Sequence, residues 1–438
     1  MKAKLVPLYF RSGDDPEFIT QVQTLKELLQ EEADIVEPRP LGDVIPEGDA
    51  ALFPQVLGDA YRRVEEIQAI PIPVIIATSE FGMVNMWDWE IVSYLRSKGL
   101  QVFAPYTLEL TKGIVRSLSL RREMKEVSFL LFQDNPGEGM QASIFKRFFW
   151  WENECSERIR EKFGIQIFKR SFKLLGEKAK NIPDRQAKEV WKNWDLGVEG
   201  LPERAILSAV KVYIALKEEI EKDPTIKGAG MNCLNESFYS DTTPCLAWCM
   251  LFEEKELIWA CEGDLLTLIT KFLVYRALRQ PIMMSNVYPF LMGKAALKHE
   301  KIEKFPDVEE PENHLLIAHC GYFGLMPPAF AASWVAKPKV LAIVDDNAHA
   351  IDARFLEGPV TLVKLDATLE KLFVIEGTLE GYVQYPGSDC RNGGIIRVPD
   401  GHRLMENLPS HHILILPGHH RVALKNMARI LEIEVVEF

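Results

Sequence analysis

The chain is expected to be an α/β protein, with two doubly wound α/β domains followed by a β-rich C-terminal domain. Three observations predict this. Its 438 residues are 47% hydrophobic and 26% charged, too long for a single hydrophobic centre and suited to about two or three domains. Through the first two thirds, short apolar runs alternate with stretches of helical period, the rhythm of parallel strands and crossover helices. Beyond a polar segment at Lys301–Asn313, short strands follow one another with turn residues between them.

In order, Lys4–Phe10 reads as a strand and leads into a helix through Phe18, Val22, Leu25 and Leu29. Pro73–Ala77 is the next strand, followed by a helix through Trp89, Ile91, Val92 and Leu95, and Gln101–Ala104 adds another strand. Val127–Phe132 reads as a strand, Ile144–Phe163 as a helix, and Glu203–Glu221 as an amphipathic helix closed by Asp223-Pro224. Three strand-to-helix units are then expected, starting at Lys227–Met231, Leu257–Cys261 and Pro281–Met284. The first two lead into Pro244–Leu251 and Leu265–Leu278, the third into a turn at Pro289. After the linker candidate at Lys301–Asn313, strands are expected at Leu315–His319, Val340–Val344, Val360–Val363, Leu372–Leu379, Gly394–Val398 and Ile413–Leu416. A helix at Val422–Leu431 and a strand at Ile433–Val436 end the chain. The expected domains are 1–125, 126–305 and 306–438.

A net charge of -12 and no basic run longer than Arg121-Arg122 exclude the electrostatic footprint of a nucleic-acid or anionic-membrane binder. No apolar stretch reaches the roughly 20 residues that span a bilayer, since Lys271 and Arg276 interrupt the most apolar one. The run Leu5–Phe10 is too short for a secretory signal and meets Arg11. Seven cysteines without a Cys-x-x-Cys pair argue against a disulfide framework or zinc knuckle, so the cytoplasm is the expected compartment. Phosphate-loop, dinucleotide-fold and nucleophile-elbow signatures do not occur.

Ligands of doubly wound sheets gather at the carboxyl ends of strands. Ile258–Cys261 runs into Glu262-Gly263-Asp264 and a helix, setting two acids at a strand end; Asp264 reads equally well as a helix N-cap. Pro281–Met284 runs into Ser285-Asn286, where the alternative is a capped turn. Every histidine except His299 lies at or beyond 314. His319 ends one strand and His411-His412 opens another, where only one of the pair can face a given site. Trp87-Asp88-Trp89 after Val74–Ala77 offers a sugar platform, with ordinary helix packing by Trp89 as the competing reading. Cys233, Cys245, Cys249 and Cys261 read as small buried hydrophobes.

Through Pro244–Ala247, Ala260-Cys261-Glu262-Gly263-Asp264, His319-Cys320-Gly321, Cys390-Arg391 and the segment from Ser410 through His412, Gly418 and Arg421 to Glu437, the sequence resembles the L-fucose isomerase and L-arabinose isomerase superfamily. The resemblance is greatest to its shorter, L-fucose isomerase-like members. It covers Gly228–Phe438, and the first half only in architecture and around Trp87-Asp88-Trp89. It implies two α/β domains and a barrel-like C-terminal domain, a trimer or hexamer, and a divalent metal, commonly manganese. Glu262 looks like the family's metal-binding glutamate and acid-base, and His412 like its C-terminal histidine ligand. The family's second carboxylate falls on Asn286, a departure that leaves an amide oxygen without charge or basicity.

The implied activity is a metal-dependent aldose-ketose isomerisation through an ene-diol. The catalytic residues would be Glu262 and Asn286, the metal ligands Glu262, Asn286 and His412, and the substrate contacts Trp87, His319, Arg391 and His411. If Asn286 costs a base, Asp264 or Glu236 is the substitute to consider. The alternatives are a noncatalytic sugar-binding or regulatory homologue and another ene-diol reaction such as epimerisation. A small-molecule sugar is the expected partner, with neither nucleic acid nor membrane.

Overall fold

The computed structural model describes residues 1–54, 60–80, 88–136, 152–299, 301–339, 344–384 and 392–438. It is a mixed α/β protein with two parallel sheets and a closed antiparallel barrel. Two compact units share the chain: one takes in 1–123, 276–278 and 422–432, and the other holds the rest.

The first unit is built on a parallel sheet of β1 (Ala3–Tyr9), β2 (Ala33–Ile35), β3 (Arg39–Pro40), β4 (Ala50–Phe53), β5 (Val74–Ile76) and β6 (Val102–Phe103). Leu5, Val6, Leu52 and Phe53 are buried, as expected for strands covered on both faces. The helix Pro16–Leu28 starts at an N-cap, Asp15, whose carboxylate accepts from the Glu17 amide, and turns Phe18, Val22 and Leu25 inward. β4 and the helix Leu108–Glu123 were not foreseen. The four-residue run Ala50–Phe53 is too short to show a period, and the buried face of that helix includes Thr111, Gly113, Ser117 and Ser119, which hide its apolar stripe.

The second unit contains a parallel sheet of β7 (Ser128–Phe132), β8 (Gln166–Arg170), β9 (Ile226–Met231) and β10 (Ile258–Ala260), ordered β10-β9-β7-β8. β8 is an edge strand with a mostly exposed, polar sequence, so hydrophobic patterning could not find it. The expected helix at Ile144–Phe163 is described only as Asn153–Phe163, the rest falling outside the described residues.

β11 (Met283–Pro289) corrects the sequence reading. Instead of a third parallel strand leading to a turn, it pairs antiparallel with β12 (His314–Ala318) and, on its other side, with a strand near the C-terminus. Its leading run Pro281–Met284 is fully apolar and reads like a buried parallel strand, whereas the alternating burial of its second half is that of a barrel strand. β13 (Ser333–Pro338) and β14 (His349–Arg354) form a separate antiparallel ribbon. β15 (Gly358–Leu365), β16 (Lys371–Gln384), β17 (Asn392–Arg397) and β18 (His412–Pro417) complete the barrel, in the order β15-β18-β11-β12-β17-β16 closed by β16 on β15. β19 (Glu434–Glu437) joins β16 in parallel. The strand expected at Val340–Val344 lies outside the described residues except for its last residue. The 301–313 segment, read as a linker, is anchored by buried Ile302 and by Phe305, whose ring stacks on Phe290 at 3.9 Å. No described helix is long and apolar enough to cross a membrane.

The helix Leu265–Leu278 is apolar nearly all round, and Lys271 is buried within it. Its ammonium lies 3.5 Å above the Trp259 ring and has no hydrogen-bond partner among the described residues. Burial holds its pKa down to about 7, so below the unfolded value of 10.5 the folded state must either give up the proton or, below about 7, hold the charge unpartnered, and both cost stability. Lys271→Met is therefore expected to raise stability at pH 7 by about 1–4 kcal/mol. That gain should shrink as the pH is raised toward 10.5, above which the wild-type amine is neutral in both states. Urea melts at pH 7 and 10 measure it; an equal or lower stability of the variant at pH 7 would contradict it.

Candidate functional site

β9 and β10 end side by side, with Ala260 opposite Gly230. A Cβ on Gly230 would stand 3.1 Å from the Gly263 Cα, so a glycine there lets the turn after β10 settle against its neighbour. In that turn, Cys261–Gly263, Glu262 adopts left-handed backbone with φ +60°. Such a conformation costs a non-glycine residue roughly 1–2 kcal/mol. We expect Glu262→Gly to be more stable than Glu262→Ala by about 1 kcal/mol, read from thermal melts of the metal-free proteins; equal stability would show that the turn is unstrained.

Asp264 then caps the helix Leu265–Leu278. The Thr267 amide donates to its Oδ1 at 2.9 Å and the Thr267 hydroxyl to its Oδ2 at 2.6 Å. Its Oδ2 also accepts from His412 Nδ1 at 2.9 Å and lies 3.3 Å from the Lys364 ammonium. Asp264, Lys364 and His412 are all fully buried. Burial pushes the Asp264 carboxyl up, but the Lys364 charge and the His412 hydrogen bond outweigh it and hold it well below its ordinary range. As an ionised acceptor, Asp264 fixes the proton of His412 on Nδ1 and turns Nε2 outward.

That Nε2 lies 3.6 Å from a Glu262 carboxylate oxygen. Burial pulls His412 down, yet Glu262 and the Asp264 hydrogen bond raise it to about 9. Asn286 sits directly opposite His412 in the β11–β18 pairing and opposite Ala318 in the β11–β12 pairing. Its Nδ2 donates to the Tyr288 hydroxyl at 3.2 Å, leaving Oδ1 buried without a partner among the described residues. His319, one residue beyond β12, is 3% exposed; its Nε2 is likewise unpartnered and its ring centroid is 6.2 Å from that of His412. A Cys261 sulfur, a Glu262 oxygen and a His319 nitrogen all lie within 4.8 Å of one another.

Glu262, Asn286, His319 and His412 thus come together at the carboxyl end of a parallel sheet, from four separate segments. His411 is exposed, with its ring 4.2 Å from that of His412. Trp87 and Arg391 lie outside the described residues. The Glu262 carboxylate, the unpartnered Asn286 amide oxygen and the His412 ring, once it gives up its Nε2 proton, form a donor set that fits a divalent cation. Neither proposed substitute base is available. Asp264 is a fully buried cap and histidine anchor, and Glu236, 1% exposed, accepts the backbone amides of Asp134 and Asn135.

Sequence reasoning missed Lys364, an internal barrel cation that pattern reading takes for a surface residue, and it gave Cys261 no polar role. The concentration of histidines mixes two populations. His349 is structural: it accepts the Leu246 amide at 2.9 Å and is kept neutral by burial. His314 lies between the Glu310 carbonyl and the Glu380 carboxylate. Trp89 is 68% exposed, against the helix-packing reading, and with Tyr106, Arg96 and Asn426 lines a groove of about 400 Å³ in the first unit. A scan against models of known protein families and a search of curated proteins both find no match to this chain.

Proposed function

We propose that the protein is a metal-dependent aldose-ketose isomerase working through an ene-diol. The observation that carries this reading is the meeting of Glu262, His412 and Asn286, with the Glu262 carboxylate 3.6 Å from an imidazole whose other nitrogen is held by a buried aspartate. A divalent ion such as manganese, held by Glu262, Asn286 and His412, would polarise the oxygens on C1 and C2 of the sugar. Glu262 removes the proton from C2 and returns it to C1, the task of a carboxylate at the edge of a buried polar cluster. Asp264 keeps the Nδ1 proton of His412 in place, so that Nε2 is presented toward Glu262. The Oδ1 of Asn286 accepts from a substrate hydroxyl or contributes to the ion. His319, His411, Trp87 and Arg391 are the proposed contacts to the rest of the sugar.

Cytoplasmic location and a homo-oligomer, a trimer or hexamer, belong to the same proposal. The alternative, a noncatalytic sugar-binding or regulatory homologue, is favoured by one feature, the amide at Asn286 where a second carboxylate would supply charge. Calorimetric titration of Mn(II) into chelator-stripped protein decides between presence and loss of the metal centre. The isomerase reading expects binding to wild type that Glu262→Ala and His412→Ala each abolish. A folded wild type that binds no divalent ion would sink it.

A further inference from the structure

Sulfur is concentrated at one side of the candidate site. Cys261 immediately precedes Glu262 at the end of β10. Cys233 follows the neighbouring strand β9, and Cys320 follows His319 at the end of β12. The sulfurs of Cys233 and Cys261 are 3.3 Å apart, and Cys320 also hydrogen-bonds Cys261. Cys233 and Cys261 are each 1% exposed. A buried thiol ordinarily faces apolar side chains. Cys261 instead shares a space under 4.8 Å across with the Glu262 carboxylate and a His319 ring nitrogen. His319 is itself buried, with its Nε2 unpartnered among the described residues.

A carboxylate-rich oxygen site suits manganese, whereas a thiolate selects softer ions. We infer that Cys261, Glu262 and His319 bind a thiophilic divalent cation of the zinc class, Cys261 as thiolate. This rests on the reading of the site as a metal centre: Glu262 stays a ligand, and a softer ion takes Cys261 and His319 as its other donors where manganese would take Asn286 and His412. On binding, Cys261 releases its thiol proton to solvent, and no electron is transferred. Without an ion the Cys261 thiol holds its proton, being hydrogen-bonded to both neighbouring sulfurs, so the ion has to displace that proton, and the Cys233 and Cys320 S–H groups would then turn toward the bound thiolate beside the Lys339 charge. Three protein donors leave the ion an open position, the condition for a catalytic rather than a closed structural zinc site.

Cobalt(II) is the probe, added to the reduced, chelator-stripped full-length protein. The expected result is a near-ultraviolet sulfur-to-cobalt charge-transfer band together with visible d–d bands. Cys261→Ser should remove the charge-transfer band while Cys233→Ser keeps it. The same Cys261→Ser change should weaken zinc by more than about ten-fold and leave manganese nearly unaffected. Because a serine variant can fail to fold, X-ray absorption of the zinc-loaded wild type provides a second reading, with a sulfur shell expected at about 2.3 Å. Cobalt d–d bands that depend on Glu262 but carry no charge transfer, or a zinc shell of only oxygen and nitrogen, would overturn this inference and leave the isomerase reading standing. No cobalt or zinc binding at all would overturn both.

Discussion

Glu262→Gln is expected to lower kcat for aldose-ketose conversion by about 10³-fold while changing KM little. Glutamine keeps the size of the side chain and one ligand oxygen, and it loses the ability to take a proton from carbon. Glu262 is only 12% exposed and stands 3.6 Å from His412 Nε2, so no solvent molecule readily replaces it in that geometry. Its left-handed backbone fixes the carboxylate at the end of β10, and a functional group held in a sparsely populated conformation is a recurrent feature of active sites. Steady-state kinetics on a converted aldose measure the effect. A glutamine variant within ten-fold of wild-type kcat would remove Glu262 from proton transfer and leave it only as a ligand.

The second large effect is on stability. Asp264→Asn leaves the fully buried Lys364 ammonium without its counter-charge, and breaking such a pair by removing one partner costs about 3–5 kcal/mol. It also loosens His412, because an amide can present its NH₂ to Nδ1 in place of an acceptor. Asp264→Asn combined with Lys364→Met should recover most of the loss, since the stranded charge is then gone. The sign with pH follows from the depressed carboxyl. Asp264 stabilises the fold above its ordinary value of 3.8, and that contribution is lost as the pH falls through the lower folded-state value. The single variant should therefore lose less stability than wild type on acidification. Denaturant melts from pH 7 to 3 test both statements. A single variant as stable as wild type at pH 7, or a double variant no better than the single, would show that the Lys364–Asp264 pair contributes little.

The parts of the fold legible in the sequence were those with one clean period. Glu203–Glu221 is a helix over the expected residues, and strands such as Val127–Phe132 and Leu315–His319 were visible as apolar runs. The sequence was silent where burial and composition part company. The polar edge strand β8 and the helix Leu108–Glu123, with serine, threonine and glycine on its inner face, carry no readable stripe. β11 was misassigned because an apolar run reports burial and not the direction of its partners. At the site, Glu262, His412 and His319 were legible as polar residues at strand ends. Asp264 was legible only in part. Its capping role was open to view, but its bonds to His412 and Lys364 span 148 and 100 positions and depend on how the barrel docks against the parallel sheet within its unit. Cys261 was set aside as a hydrophobe because the oxygen and nitrogen beside its sulfur come together only in three dimensions.

The central claim is that Glu262 moves a proton between adjacent sugar carbons at a metal-assisted site. The most direct test is proton NMR of a panel of unphosphorylated aldoses, incubated in deuterium oxide with divalent-metal-loaded protein. The account predicts a ketose of the same carbon skeleton from at least one aldose. It should carry solvent deuterium at C1, and both conversion and exchange should disappear in Glu262→Gln. Sugars that bind, with neither conversion nor exchange under any divalent ion, would contradict it and identify a binding protein on this fold.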